Sequence, residues 1–126
     1  MNIRIRNGFP YVAAALTYRG QHLPFDNILL DTGSAGTVFA VDKVLAIGIQ
    51  LEPQDLIRRI RGVGGAEFVF IKSVDRLSLD DLFLENFEIE VGAMNYGIES
   101  DGILGMDFLL QVGAGIDLAQ LKIYRA

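Results

Sequence analysis

Residues 29–37 read LLDTGSAGT. Leu29 and Leu30 close an apolar run, and a carboxylate, Asp31, follows at once. Placing an acid beside a buried leucine pair has a cost, because removal from water disfavours the charged form. The neighbours are suited to offset it. Gly33 lets the backbone turn sharply and approach another group closely. The hydroxyl of Thr32 is able to bond nearby backbone, and that of Ser34 the carboxylate or the local turn. Leu29, Leu30, Val38 and Phe39 form an apolar surround. Taken alone, Asp31–Ser34 also reads as a plain turn after a strand, since Asp, Gly and Ser all favour turns.

The rest of the composition narrows what such a carboxylate can do. The chain has 126 residues, 51% hydrophobic and 21% charged, which fits one folded domain over residues 1–126. Net charge is −5 and no basic stripe appears, which argues against a nucleic-acid partner. The apolar runs fall far short of the ~18 residues a membrane helix needs, and no signal-peptide pattern is seen. The expectation is a cytoplasmic protein, or a soluble domain of a larger one, that does not engage a membrane. There is no cysteine, so thiol catalysis, disulfides and thiolate zinc sites are excluded. The single histidine, His22, lies in RGQHLPF (19–25), which reads as a solvated hairpin loop. A Ser-His-Asp arrangement would depend on it. The acids lack the spacing of a calcium loop. The expectation is therefore no metal and no cofactor, with carboxylates as the agents of any chemistry.

Alternating apolar and polar residues at 11–18, 25–31, 67–74, 82–91 and 121–125 read as strands. Gly8-Phe9-Pro10, Arg19-Gly20 and Asp101-Gly102 punctuate them as turns. Residues 41–49 and 105–112 are short helix candidates, the first ending near Gly48. Many short strands and few helices predict a mostly β barrel or sandwich. NILLDTGSAGT and SDGILGMDF are loosely alike, each with an Asp and a Gly beside an aliphatic pair.

Three segments in order carry a resemblance. LLDTGSAGTV (29–38) resembles the catalytic segment of the retroviral-type, retropepsin-like aspartic proteases. GVGG (62–65), between DLIRRIR and AEFVFIK, resembles the tip of that family's flap, a hairpin that closes over substrate. DGILGMDFLLQVGAGIDL (101–118) resembles its aliphatic-aliphatic-Gly motif with the helix and strand that follow. The resemblance implies a closed, mostly β acid-protease barrel with a flap hairpin and one or two short helices. It also implies a homodimer that hydrolyses peptide bonds with water activated between two Asp31 carboxylates, one from each copy.

The resemblance further assigns roles. Asp31 is the catalytic acid, Thr32 cross-links the two copies beneath the pair, and Gly33 admits substrate backbone. Ser34, Gly62, Val63, Gly64, Asp101 and Ile103 would contact an extended polypeptide, the Val63 N–H through a water. Leu29, Val38 and Leu104 would line or back side-chain pockets. Asp101 is placed to admit a basic side chain, or else forms an ordinary Asp-Gly turn. Two positions depart from the family pattern: Ala35 stands where an acid is common, and Met106 where an arginine commonly pairs with it. Replacing both partners of a buried pair is far less costly than removing one, and Asp107 is placed to take over polar bonding there. The alternative is a catalytically inactive module that keeps the fold to dimerise or hold peptides.

Overall fold

The computed structural model describes residues 2–62, 65–94 and 98–126, with backbone alone at 61, 62, 65 and 66. Its first three strands are set by two tight turns. Asn7 and Gly8 have φ of 52° and 81°, and Arg19 and Gly20 have 48° and 82°. Two-residue turns with positive φ match the twist of paired strands. They join β1 (Arg4–Arg6), β2 (Phe9–Tyr18) and β3 (Gln21–Leu30) as an antiparallel meander. The first turn is thus Asn7-Gly8, and Phe9 and Pro10 already belong to β2. His22 is likewise no loop residue. Arg19-Gly20 completes the reversal alone, so β3 resumes at Gln21, and His22 lies opposite Thr17, exposed, with its Nδ1 3.3 Å from the Thr17 hydroxyl.

The remaining strands are β4 (Val38–Ala40), β5 (Ile57–Gly62), β6 (Gly65–Leu79), β7 (Leu82–Gly92), β8 (Gly102–Leu104), β9 (Ala114–Asp117) and β10 (Lys122–Arg125). β3 runs parallel to β8, β8 antiparallel to β4, β4 parallel to β7, and β7 antiparallel to β6. β6 then returns to β2 through Ala15↔Ser78, Leu16↔Leu77 and Thr17↔Arg76. The pairings thus run in a closed circuit, with β1 and β5 as flanking strands and β9–β10 as a separate pair. The fold is mostly β, as expected. The two copies of the loose repeat lie side by side, Ile28↔Gly102 to Leu30↔Leu104. Asp101 is not a free turn residue: its N–H bonds Asn27 O and its carbonyl accepts from Ala40 N–H.

The helices are shorter than the sequence predicts. Residues 41–49 form one α-helical turn, α1 (Val41–Val44), then a 3-10 turn at Leu45–Ile47 that stops at Gly48, φ 82°. Ala40 offers no side-chain cap and two of the four residues in α1 are valines, so little favours a longer helix. α2 (Met106–Val112) turns Phe108, Leu109 and Val112 inward. Phe108 meets Phe87 of β7 edge-on at 5.9 Å, within a core that also holds Leu16, Ile28, Phe39 and Leu104. Among the described residues no helix is long and apolar enough to cross a membrane.

One buried cation ties a loop to this framework. Lys72 on β6 is buried, and its Nζ donates to Glu52 Oε1 at 2.7 Å and Asp55 Oδ2 at 2.6 Å. The clasp fixes residues 52–55 just before the β5–β6 hairpin. The Lys72 hydrogen bonds hold both carboxyls below the usual carboxylate range. Burial pushes the Lys72 amine down, but the bonds from Asp55 and Glu52 outweigh it and leave the amine above its ordinary value. Depressed acids stabilise above their unfolded pKa and lose that as pH falls through the folded one. The raised amine stabilises below its unfolded pKa and loses that as pH rises through its folded one. Lys72→Met is therefore expected to lower stability across the neutral range and to narrow the gap to wild type as pH falls into the carboxylate range. Urea unfolding over a pH series measures this, and a gap that widens toward acid would refute the clasp.

Candidate active site

Leu29 and Leu30 are buried, and β3 carries them alongside β8 until the ladder ends. Asp31 is the first residue past it. Its N–H still bonds Leu104 O at 3.1 Å, and its own carbonyl accepts from Ser34 N–H at 3.2 Å to close a turn. The Gly33 N–H donates to Asp31 Oδ1 at 2.9 Å, so the loop orients the acid. A Cβ on Gly33 would sit 3.2 Å from that oxygen, a tight contact that would push on the acid. The expected surround is present, with Val38 and Phe39 also buried. Within one chain the acid is nevertheless only half-buried, and Thr32 and Gly33 are exposed. The sequence predicts a more enclosed carboxylate.

The loop from Asp31 to Thr37 forms neither helix nor strand, so its backbone groups need other partners. Residues 104–107 supply them: Met106 N–H bonds Ser34 O at 2.8 Å and Asp107 N–H bonds Ala35 O at 3.2 Å. Thr37 is fully buried. Its hydroxyl donates to Asp107 Oδ1 at 2.7 Å and accepts from Gly105 N–H at 3.1 Å. Its own N–H reaches Asp107 Oδ2 at 3.2 Å, and Phe108 N–H reaches Oδ1 at 2.8 Å. Asp107 thus does the polar bonding expected of it beside Ala35 and Met106, and Met106 packs against the core. Gly105 must be glycine, since a Cβ there would stand 2.2 Å from Gly36 O. Ser34 bonds the turn, not the acid: its hydroxyl donates to Gly36 O at 2.7 Å.

A cleft of about 590 Å³ opens beside this loop. Its walls are Gly33–Gly36 and Val38, Arg58 and Ile60 of β5, Ile71 of β6, Glu88–Glu90 of β7, and Asp107. The structure therefore brings Gly33 and Ser34 to the cleft together with Val38, while Asp31 and Thr32, on the same loop, stand outside its lining. Ile103 sits half-buried in a small cluster with Val38, Ala40, Val69, Met94 and Ile60, and does not line the cleft. Neither does Asp101, whose Oδ1 is 3.9 Å from Lys43 Nζ. Leu29 and Leu104 are buried and also stand outside the lining. β5 and β6 pair as an antiparallel hairpin up to Gly62↔Gly65. Val63 and Gly64 lie outside the described residues.

Thr37, Arg58 and Glu90 are absent from the sequence-derived site. Thr37 was within the quoted stretch but carries no catalytic pattern. Glu90 sits in a period-2 strand and reads as a solvated position. In the structure burial raises its carboxyl above the usual range, Arg58 opposes that rise, and Asp107 and Glu67 add to it. Among the described residues no cluster of His, Cys, Asp and Glu could hold a metal ion.

The sequence model of one protein family, described as aspartyl protease, matches residues 14–108. The match runs from β2 into α2 and takes in Asp31, the β5–β6 hairpin and Asp107. No curated protein matches the chain.

The loop's dependence on Thr37 has a measurable consequence. Thr37→Val keeps shape and volume but strips Asp107 and the Gly105 N–H of a shared partner. It is expected to cost about 1–3 kcal/mol, the usual penalty for orphaning buried polar groups. Urea denaturation measures it, and an unchanged midpoint would mean that the loop is held by something else.

Proposed function

The chain belongs to the aspartyl protease family, and we propose that it is an endopeptidase whose site is completed by a second copy of itself. The observation that carries the reading is Asp31 at the end of β3, with one oxygen fixed by the Gly33 amide and the exposed Thr32 and Gly33 beside it. One chain offers a single such carboxylate, and water activation between acids needs two. An isologous pair across a two-fold axis supplies the second. The single domain then stands as one half of a retropepsin-like enzyme, its strand circuit serving as the acid-protease barrel.

Two close carboxylates cannot both ionise cheaply, so the pair shares one proton. The ionised Asp31 takes a proton from water, and that water attacks the scissile carbonyl. The protonated Asp31 of the other copy donates to the carbonyl oxygen. A tetrahedral diol forms, and its collapse delivers a proton to the leaving amine. Thr32 would brace the two loops against each other, and Gly33 would admit the substrate backbone. The substrate would lie extended, as an added strand, between the loop and the β5–β6 hairpin. In this reading that hairpin is the flap, with Gly62, Val63 and Gly64 at its tip. Ser34 shapes the loop that meets the peptide. Asp101 and Ile103 would act behind the cleft, through β8.

Asp31→Asn preserves size but cannot act as the base. The variant is expected to fold as wild type does and to lose cleavage of an unfolded protein. Excess variant should also poison wild type, because a mixed dimer has one competent acid. Cleavage near the wild-type rate by the variant would overturn the assignment. A wild type that dimerises and binds peptide without cutting it would instead favour a non-catalytic peptide-holding module.

A further inference from the structure

The cleft wall beside the loop carries a charge that the reaction does not use. Glu90 lies on β7 opposite Val38, and its N–H bonds Thr37 O at 2.9 Å, so its position is fixed by the same loop that presents Asp31. Its side chain is 12% exposed. The carboxylate rests on Gly36, where a Cβ would stand 2.1 Å from Oε1, so the glycine is what leaves it room. The walls around it are apolar at Val38, Ile60 and Ile71. Asp107, another acid of the cleft lining, is spent on Thr37 and the Phe108 N–H.

A cation already occupies this place. The Arg58 guanidinium reaches across from the hairpin strand to 3.8 Å from Glu90 Oε2, yet its side chain remains 60% exposed. That separation is an ion pair without a close hydrogen bond, and the exposed partner gains little from holding it. A mostly buried carboxylate held by a loose, displaceable cation favours a better-placed one, because charge-assisted hydrogen bonds strengthen as water is excluded.

We propose that Glu90 makes this part of the cleft a subsite for a lysine or arginine side chain of the peptide, and that Arg58 fills it when no peptide is bound. The inference rests on the peptidase reading and adds a preference that the family's chemistry does not require. Asp101, the acid that the sequence offers for this role, lies outside the cleft. Protonation supplies a further signature. Burial raises the Glu90 carboxyl, against the opposing effect of Arg58 and with Asp107 and Glu67 adding to the rise. Glu88 is the other acid on the same wall. A neutral Glu90 loses its hold on a cation, so the preference for a basic residue strengthens as pH rises from acid to neutral. The rate itself can follow a different profile, because it depends on Asp31.

The test uses peptides of one length that carry a single lysine, norleucine or glutamate at each position in turn. Wild type is expected to favour lysine over norleucine at one position, on the order of tenfold in kcat/KM at neutral pH and less in acid. Glu90→Gln should bring the two to parity, and Arg58→Ala, which frees the acid, should widen the preference at the upper end of the pH series, where the acid stays ionised without its partner. The same order is expected in fluorescence anisotropy with the Asp31→Asn chain, which binds without cutting. No lysine preference at any position, or a preference that survives Glu90→Gln, overturns the inference. If Glu90→Gln does not fold, Arg58→Ala decides alone, with an unchanged preference counting against it. Cleavage without the preference leaves the peptidase reading standing. Glu90-dependent binding without cleavage leaves the subsite standing. Neither binding nor cleavage removes both.

Discussion

The bond from the buried Thr37 hydroxyl to the Asp107 carboxylate joins segments 70 residues apart, and the candidate site depends on it. The loop that starts at Asp31 has no secondary structure of its own. It keeps its shape because residues 104–107 take up its carbonyls and amides. The same carboxylate also satisfies the Phe108 N–H, in the first turn of α2, where helices leave donors unpaired. One acid therefore positions a loop and starts a helix, and Gly105 is required because no Cβ fits between the two. The apolar core supplies most of the stability, but it does not specify where Asp31 points.

The parts legible in the sequence were those governed by local chemistry. LLDTGS places a strand end and an oriented acid, and the resemblance of the three ordered segments points to the hairpin and to the helix and strand that follow the Ile-Leu-Gly motif. Period-2 patterning found the long strands β2, β6 and β7. The three-residue strands β1, β4 and β8 were not read, since three residues hold too little period to stand out. RGQHLPF reads as a loop around His22, yet the turn at Arg19-Gly20 needs only two residues and leaves His22 in β3. Residues 41–49 carry apolar spacing compatible with helix, yet lack a cap. Thr37 and Glu90 are not legible in the sequence for a shared reason: each acts through partners far along the chain, Asp107 for one and Gly36 and Arg58 for the other. No spacing rule reports such a meeting.

The hairpin and the loop are held differently, which suits the proposed entry of a peptide into the cleft. The loop is locked at 31–37 by backbone and buried side-chain bonds. The hairpin is anchored at its base, where Ile71 N–H bonds Leu56 O and the Lys72 clasp fixes the preceding loop. Toward the cleft it contributes Arg58 and Ile60, and the ion pair from Arg58 is long and exposed. A firm base with a weakly held arm is the arrangement in which a peptide displaces a side chain without unfolding the wall. The carboxylates also divide by setting. Asp107 and Asp55 serve structure through short bonds, Glu90 lies in the cleft with a loose partner in Arg58 among the described residues, and Asp31 is held by one amide at the surface.

The central claim is that one chain holds half a site. The most direct measurement is the initial rate of peptide cleavage over a dilution series that spans the dimer dissociation constant, with sedimentation following the oligomer in the same samples. A shared site predicts a rate that is linear in chain concentration where the dimer is intact and falls with its square where the dimer dissociates. A rate that stays linear while sedimentation reports monomer would contradict it.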